Sequence, residues 1–266
     1  MKLPDPTACV AVVGASGVLE IAGDTSVAHP WASITKILTA LAVLVASEEG
    51  AIGLDDAAGP PGSTVRHLLA HASGLDFDAD RVLAAPGTRR IYSNTGYETL
   101  AVALERATGI AFETYLGEAV LQPLALTSTQ LRGTAAAGLH GPLDDLLRVV
   151  AELTMPTLLA PETAALMHGV AFPGLGGVLP GFGMQEPNDW ALGPELRGHK
   201  SPHWTGRHNS PRTFGHFGGG GGFLWLDPEA RLACASLSGR AFGPWAVAAW
   251  PRLSDEVLAA HARPPR

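Results

Sequence analysis

The sequence is poor in charged residues and contains no basic run. Only 16% of its 266 residues are charged, and its formal net charge at pH 7 is −7. Nucleic-acid binding depends on clustered Lys and Arg, so nucleic acid is not an expected partner. Hydrophobic residues make up 46% of the chain, far more than in disordered proteins. The composition therefore indicates a globular protein with a sizeable core.

Long apolar segments are also missing. The longest apolar run, residues 37–46, is interrupted by Thr39 and is too short to cross a bilayer, so it predicts a buried helix. The first six residues lack the apolar stretch of a secretory signal. We therefore expect no membrane span and a cytoplasmic location for the chain as given. A periplasmic or secreted location is expected if a leader has been removed.

Cysteine is scarce. The chain has two, Cys9 and Cys234, each inside an apolar run typical of a strand. A disulfide needs an oxidising compartment, and nothing in the sequence argues for one. We therefore predict two buried thiols, because unpaired cysteine is a common core residue.

The elements that are present follow an order typical of an α+β fold. Apolar runs and turn residues predict strands at 8–13, 18–22, 213–218, 222–226 and 231–237. Helical patterns predict helices at 33–47, 64–69, 94–107 and 245–260, with two more beginning near Pro142 and Pro161. Residues 170–212 are rich in Gly and Pro and predict long loops.

This order predicts one antiparallel sheet, built from both ends of the chain and flanked by helices. Residues 1–54 and 161–266 would form this α/β lobe, and residues 55–160 an all-helical lobe. The two lobes would make a single catalytic unit, with a cleft between them.

Three short motifs carry candidate chemistry, and the first is Ser33-Ile34-Thr35-Lys36. A serine in the first turn of a helix lies where backbone N–H groups favour negative charge. Lys36 projects from the same face, and apolar neighbours would lower its pKa until it can accept a proton. Taken alone, this pair is more often a capping serine followed by a solvated lysine.

The second motif, Tyr92-Ser93-Asn94, precedes a predicted helix. A tyrosine beside an ammonium group can act as a phenolate-like base, and an asparagine offers a donor and an acceptor to a substrate amide. Taken alone, the motif is more often a buried tyrosine and a helix cap.

The third motif is His216-Phe217-Gly218-Gly219, at the end of a predicted strand. Glycines let a substrate lie against backbone N–H groups, as an oxyanion hole requires. Taken alone, a glycine run is more often a flexible hairpin loop.

Together and in this order, the motifs resemble those of the penicillin-recognising serine hydrolases. The resemblance is closest to the branch of class C β-lactamases, D-alanyl-D-alanine carboxypeptidases and family VIII esterases, where the second motif is Tyr-x-Asn and the third is often His-x-Gly. Residues 68–75, Leu-Leu-Ala-His-Ala-Ser-Gly-Leu, are similar to that family's Leu-Leu-x-His-Thr-Ser-Gly-Leu. The similarity covers nearly the whole chain.

The resemblance implies a β-lactamase/transpeptidase-like fold and a serine hydrolase that forms an acyl-enzyme on Ser33. Lys36 and Tyr92 would share the proton, and water would then release the acyl group. None of the three asparagines has a glutamate four residues before it, so the Glu-x-x-x-Asn route of class A β-lactamases is absent. The residues implied for substrate binding and the oxyanion hole are Asn94, His216, Gly218 and Gly219, and the backbone N–H groups of Ser33 and Gly219 would hold the oxyanion.

The resemblance implies no cofactor and no metal, and it implies a small-molecule or peptide-like substrate. Phe217 occupies the place of the family's hydroxyl residue in Lys-Thr-Gly. If Phe217 faces the cleft, it favours neutral, apolar groups; a strand residue can also face away. We expect an esterase or amidase in preference to an efficient penicillinase. A catalytically idle sensor or binding protein and an acyltransferase remain alternatives on the same fold.

Several other residues are not assigned to the catalytic site. His71 is expected to be a buried, hydrogen-bonding histidine. Trp190 and Trp204 can line the cleft or pack elsewhere. The histidines of the Gly/Pro-rich region have no metal-ligand spacing: His199, His203 and His208. The arginines of the same region, Arg207 and Arg212, are expected to be solvated.

Overall fold

The structure is a computed structural model that describes residues 5–262. Residues 263–266 lie outside the described residues. So do residues 1–4, which belong to the segment predicted not to be a secretory signal. Within the described part of the chain, no helix combines the length and the apolarity needed to cross a membrane.

Strands and helices follow the predicted order. The strands are β1 (Cys9–Gly14), β2 (Gly17–Ala22), β3 (His29–Pro30), β4 (Gln130–Leu131), β5 (Leu139–Gly141), β6 (Gly177–Leu179), β7 (Gly183–Gln185), β8 (Glu195–Leu196), β9 (Phe214–Phe217), β10 (Phe223–Asp227) and β11 (Leu232–Leu237). The helices are α1 (Thr35–Glu48), α2 (Val65–Leu69), α3 (Asn94–Thr108), α4 (Phe112–Leu116), α5 (Leu143–Thr154), α6 (Pro161–Ala164) and α7 (Pro244–His261). Single 3-10 turns lie at Ala32–Ile34 and Ala165–Met167, and a π-helical turn at Gly117–Leu121.

The central sheet has six strands in the order β2-β1-β11-β10-β9-β8, and every neighbouring pair is antiparallel. Strand β1 from the start of the chain pairs with β11 from its end. The sheet therefore joins the two ends, and the predicted α+β fold with one antiparallel sheet is confirmed.

The sheet is buried on both faces along its central strands, whereas the edge strand β2 is largely exposed. Along β1, Cys9 and Ala11 belong to one core, whereas Val10 and Val12 belong to the other. Helix α5 packs against β1, β10 and β11, and helix α7 packs against β11. Because each face is covered, the central strands are mostly apolar and lack the alternation of a strand with one wet face. Their polar residues, which are also buried, are His216, Asp227 and Ser236.

The middle of the chain is helical but also contains two short strands. Residues 55–160 hold α2 to α5, and in addition β4 and β5, which form a small sheet with β3. These strands have two and three residues, which is too short for a period of two to show in the sequence. The division into the lobes 1–54 with 161–266 and 55–160 stays a prediction.

A hydroxyl side chain caps the start of both α2 and α3. Thr64 caps α2, because its hydroxyl accepts from the backbone N–H of His67. Helix α3 is capped by Ser93, whose Oγ accepts from the N–H of Gly96 at 2.9 Å, and not by Asn94. The side chain of Asn94 is thus available for other contacts.

Both cysteines are buried free thiols, as predicted. Cys9 lies opposite Leu237, and Cys234 lies opposite Val12, so the two are out of register on neighbouring strands. Burial raises the pKa of the Cys9 thiol to about 11. Neither thiol is therefore primed as a nucleophile.

Candidate active site

Ser33 lies in the 3-10 turn that leads directly into α1. The residue before it, Ala32, has φ of 47°, in the left-handed region that is costly for a residue with a Cβ. The serine itself is half-buried and lines a cavity. The turn thus holds the hydroxyl at the end of a buried helix, open to a ligand.

The amine of Lys36 is fully buried and makes three polar contacts. Its Nζ lies 3.3 Å from Ser33 Oγ, 2.6 Å from Asn94 Oδ1 and 2.9 Å from the Ala136 carbonyl oxygen. Burial lowers the pKa of Lys36 to about 7. The amide and carbonyl oxygens only accept hydrogen bonds. A neutral amine therefore gives them its two N–H groups and turns its lone pair towards Ser33.

Tyr92 completes the group. Lys36 Nζ lies 4.8 Å from the centre of its ring. Burial raises the pKa of Tyr92, and the nearby hydroxyl of Ser33 acts in the opposite direction without reversing the shift. The phenol is therefore protonated at neutral pH and can donate a proton. The structure brings Ser33, Lys36 and Tyr92 together; their catalytic roles stay predictions.

His71 holds the segment that carries Tyr92. Its carbonyl oxygen accepts from the N–H of Ile91 at 2.9 Å, and its Nδ1 accepts from the N–H of Ser93 at 3.1 Å. The His71 ring also packs against the Tyr92 ring, with centroids 4.5 Å apart. His71 is buried and hydrogen-bonded, as predicted, and it positions the phenol from both sides.

Asn94 is the first residue of α3 and links the amine of Lys36 to the carboxylate of Asp78. Its Oδ1 accepts from Lys36, and its Nδ2 donates to Asp78 Oδ1 at 2.7 Å. The amide is therefore held in one orientation by the protein. Nothing in the sequence pattern pointed to Asp78, because it lies in an exposed loop that only the fold brings to α3.

The glycines of the third motif allow a close approach to the nucleophile. A Cβ at Gly218 would lie 2.3 Å from the Trp31 carbonyl oxygen and 3.3 Å from the Ser33 nitrogen. Only glycine fits there. Gly219, the next residue, lines the same cavity as Ser33. The predicted oxyanion hole from the N–H groups of Ser33 and Gly219 fits this arrangement and stays a prediction.

His216 and Phe217 lie on β9 just before these glycines. Burial lowers the pKa of His216 to about 3, with the charge of Lys36 as the second cause, so the imidazole is neutral at neutral pH. Phe217 packs against Phe242 and Trp250, with ring centroids 5.0 and 5.7 Å away, and also lines the cavity. Most of the Phe217 ring therefore belongs to the aromatic core, and the remainder faces the cavity.

The cavity at Ser33 has a volume of about 140 Å³ and a mainly apolar wall. Its apolar lining residues are Phe77, Leu179, Pro180, Trp190, Phe217 and Phe242. Glu195 is the one charged side chain among the described lining residues, and neither Lys nor Arg is among them. Such a wall favours a neutral group.

Glu195 anchors a buried polar network that the sequence did not predict. Its Oε1 accepts from Lys200 Nζ at 2.5 Å and contacts His203 Nε2 at 2.9 Å, and its Oε2 accepts from Trp204 Nε1. Although burial acts to raise it, the charges of Lys200 and His203 hold the pKa of Glu195 well below its usual range. These residues come from a Gly/Pro-rich region, where no spacing pattern marks them.

The other residues left unassigned also have clear positions. Trp190 is buried and packs against Tyr92 and His216, with ring centroids 5.6 and 5.5 Å away. Arg207 and Arg212 are exposed and do not line the cavity. No group of three His, Cys, Asp or Glu side chains within residues 5–262 is arranged to hold a metal ion.

The pH dependence of the site can be shifted through Asp78. A reaction that uses neutral Lys36 as a base is expected to slow below about pH 7 as the amine becomes protonated. Burial lowers the pKa of Lys36, and the carboxylates of Glu98 and Asp78 raise it. Asp78→Asn removes one carboxylate but keeps an oxygen for Asn94. The pKa of Lys36 then falls, so the acidic limb of kcat/KM moves a few tenths of a unit to lower pH.

This shift is expected to be larger at low salt than at high salt, because Asp78 is exposed. Asp80→Asn is the matched control: it removes an exposed carboxylate from the same loop, and we expect no comparable shift. If the acidic limb of the kcat/KM profile moved to higher pH in Asp78→Asn, that limb could not report the protonation of Lys36.

A buried helix that opens with Ser-x-x-Lys, a tyrosine beside it and a glycine-rich strand end together define a serine hydrolase of the β-lactamase and penicillin-binding-protein type. The sequence profile of the β-lactamase family matches residues 24–259. The chain belongs to this family.

Individual relatives support the assignment. The chain is similar to a β-lactamase from Mycobacterium bovis, with 52% identity, a TM-score of 0.95 and coverage of 97% of this chain and 96% of that one. It is also similar to Penicillin-binding protein 4* from Bacillus subtilis, with 29% identity over 133 residues. That match covers 38% of this chain and 30% of the Bacillus protein, so it spans less than a third of that relative.

More distant structures share the fold alone. EstCE1, a hydrolase with promiscuous acyltransferase activity, is 19% identical, with a TM-score of 0.77 and coverage of 94% of this chain and 93% of that one. Simvastatin synthase from Aspergillus terreus is 17% identical, with a TM-score of 0.82 and coverage of 98% and 95%.

Proposed function

We propose that this family member forms an acyl-enzyme on Ser33 and acts on neutral esters or amides in preference to β-lactams. The observation that carries the preference is the cavity wall. It is apolar, its charged lining residue is the carboxylate Glu195, and His216 is neutral. The carboxylate of a β-lactam would lose its water there without meeting a cation, which is costly.

Acylation follows from the polar contacts of Lys36. Its neutral amine accepts the proton of Ser33 Oγ, which lies 3.3 Å away. The oxygen attacks the substrate carbonyl carbon, and the carbonyl electron pair moves onto its oxygen. The backbone N–H groups of Ser33 and Gly219 would stabilise that oxyanion. The ammonium that forms on Lys36 stays hydrogen-bonded to Asn94 and Ala136.

Collapse of this intermediate needs a proton for the leaving group. Tyr92 is a protonated phenol that interacts with Ser33 and lies beside Lys36. It can pass its own proton to the leaving alcohol or amine and recover one from the Lys36 ammonium. Water then attacks the acyl-enzyme, with neutral Lys36 and Tyr92 again handling the proton. Ser33 Oγ leaves and regains its hydrogen.

Hydrolysis of β-lactams is the second candidate function, and the 52% identical Mycobacterium bovis protein, a β-lactamase, favours it. Acyl transfer to an alcohol would use the same acyl-enzyme. A sensor would form the acyl-enzyme and keep it. These three alternatives differ from ester hydrolysis in the products and their rates, not in the first step.

A substrate panel distinguishes them. We expect kcat/KM for p-nitrophenyl acetate and butyrate to exceed that for a chromogenic cephalosporin by about tenfold or more, the factor that one unfavourable ionic contact produces. Faster cephalosporin turnover would overturn the preference. A covalent adduct that persists without turnover would indicate a sensor, and ester products formed only with added alcohol would indicate a transferase.

A further inference from the structure

His216 is placed beside the nucleophile by the strand that carries it. Gly218, two residues later, lies against the Trp31 carbonyl and the Ser33 nitrogen so closely that no side chain fits between them. His216 and Ser33 line the same cavity. A group bound in the cavity near Ser33 can therefore meet the imidazole.

The protonation of this imidazole is defined by one hydrogen bond. Nδ1 of His216 lies 2.7 Å from the Phe217 carbonyl oxygen. A carbonyl oxygen has no proton to give, so Nδ1 must carry the hydrogen. A neutral imidazole has a single N–H, and burial keeps His216 neutral by lowering its pKa to about 3. Nε2 is then left with a lone pair.

That lone pair has no hydrogen-bond donor from the protein. His216 is 3% exposed, and its Nε2 is buried without a partner among the described residues. The charged and titratable groups near the ring are Lys36, Glu195, Tyr92 and His71. The N–H groups of Lys36 point to other acceptors. His71 carries its hydrogen on Nε2, because its Nδ1 accepts from Ser93, and this N–H makes no hydrogen bond to His216. A buried acceptor without a donor is unfavourable, so a ligand that supplies one gains affinity.

We propose that Nε2 of His216 is an acceptor subsite that selects substrates carrying a hydroxyl or amide N–H close to the scissile carbonyl. The inference rests on the proposed function and narrows its substrate class. A cationic residue at this position would attract a carboxylate. The lone pair of His216 repels a carboxylate and attracts a neutral donor, so charge and hydrogen bonding select in the same direction.

Arylboronic acids test the subsite without requiring turnover, because they form a reversible tetrahedral adduct with a nucleophilic serine. Three matched sets carry a methyl, hydroxymethyl or carboxylate group at the meta or para position. We expect the better hydroxymethyl compound to bind about tenfold more tightly than its methyl partner, as one hydrogen bond to a buried acceptor produces. The carboxylates are expected to bind more weakly than both.

Variants of His216 then separate hydrogen bonding from shape. His216→Leu is expected to remove the difference between hydroxymethyl and methyl compounds. His216→Gln retains an acceptor oxygen and is expected to keep part of the affinity difference. His216→Lys is expected to bind the carboxylate compounds more tightly than the wild type does. The proposal would be overturned if wild type bound the hydroxymethyl and methyl compounds equally well, or if His216→Leu still preferred the hydroxymethyl compound.

The tautomer itself can be observed in the unmodified protein. Long-range ¹H–¹⁵N correlation spectra distinguish protonated from unprotonated ring nitrogens, and the His216→Gln variant identifies the signals of His216. We expect a proton on Nδ1 and none on Nε2 at neutral pH. A proton on Nε2 would refute the acceptor subsite. If the hydroxymethyl and methyl boronates bound wild type equally well and did not bind Ser33→Ala, the subsite would be refuted and the proposed function would remain intact.

Discussion

Ser33→Ala is expected to lower kcat/KM for p-nitrophenyl butyrate by about a thousandfold or more. The hydroxyl of Ser33 lines the cavity and lies 3.3 Å from the Lys36 amine. Removing it leaves the cavity and the oxyanion donors but takes away the atom that forms the acyl bond. Steady-state rates on purified protein measure the effect, and any residual rate above that of the ester in buffer should come from the cavity and the oxyanion donors that the variant keeps.

Ser47→Ala is the matched control. Ser47 lies near the other end of α1, is half-buried and does not line the cavity. Ser47→Ala removes a hydroxyl from α1 itself, and Ser33→Ala removes one from the turn that leads into it, so a general effect on α1 would appear in both variants. Ser33→Ala retaining a tenth of the wild-type rate, with Ser47→Ala unchanged, would argue against Ser33 as the nucleophile.

Lys36→Met is expected to lower kcat by about a hundredfold to ten-thousandfold, the range typical of a lost general base. It should also remove the acidic limb of the pH profile near pH 7, because that limb reports protonation of Lys36. The oxygens of Asn94 and Ala136 lose a donor, and the buried Ala136 oxygen left unpaired costs about 1–3 kcal/mol of stability. Asn94 is half-buried, so water can replace the lost donor there. Thermal unfolding should be measured beside the rate.

Lys36→Arg distinguishes a base from a fixed charge. Arginine keeps the cation but does not lose its proton at accessible pH. If Lys36 acts by accepting the Ser33 proton, the arginine variant is expected to be as inactive as Lys36→Met. Substantial activity in a folded Lys36→Arg protein would mean that the positive charge, and not the neutral amine, carries the catalysis.

The sequence predicted those parts of the fold that depend on continuous apolar runs. Strand β1 and the closing strand β11 were located to within a residue or two, because each is buried on both faces and bounded by turn residues. The strands of the small sheet were missed. They have two or three residues each, and they form because the chain brings β3, β4 and β5 together.

The candidate site likewise contains residues that the sequence could predict and residues that it could not. Ser33 and Lys36 are one helical turn apart, so their proximity follows from local geometry. Tyr92 lies more than 50 residues further along, and only the family resemblance placed it there. The network around Glu195 had no signal at all, since β8 has two residues and its partners come from an irregular region.

The charge states of the site could not be read from the sequence either. A histidine in the third motif was compatible with a cation or a neutral hydrogen-bonding group. Burial and the nearby amine of Lys36 make His216 neutral, and they do so through three-dimensional packing. Tyr92 likewise stays protonated because it is enclosed, although a tyrosine beside an ammonium can be a phenolate in a wetter site.

Every step of the proposed reaction depends on acylation of Ser33 during turnover. Mass spectrometry of the intact protein, acid-quenched within the first turnovers of p-nitrophenyl butyrate, detects such an intermediate. We expect a butyryl adduct that maps to the peptide containing Ser33, decays as substrate is exhausted and is absent from Ser33→Ala. An adduct on another residue, or the same adduct in Ser33→Ala, would contradict this expectation.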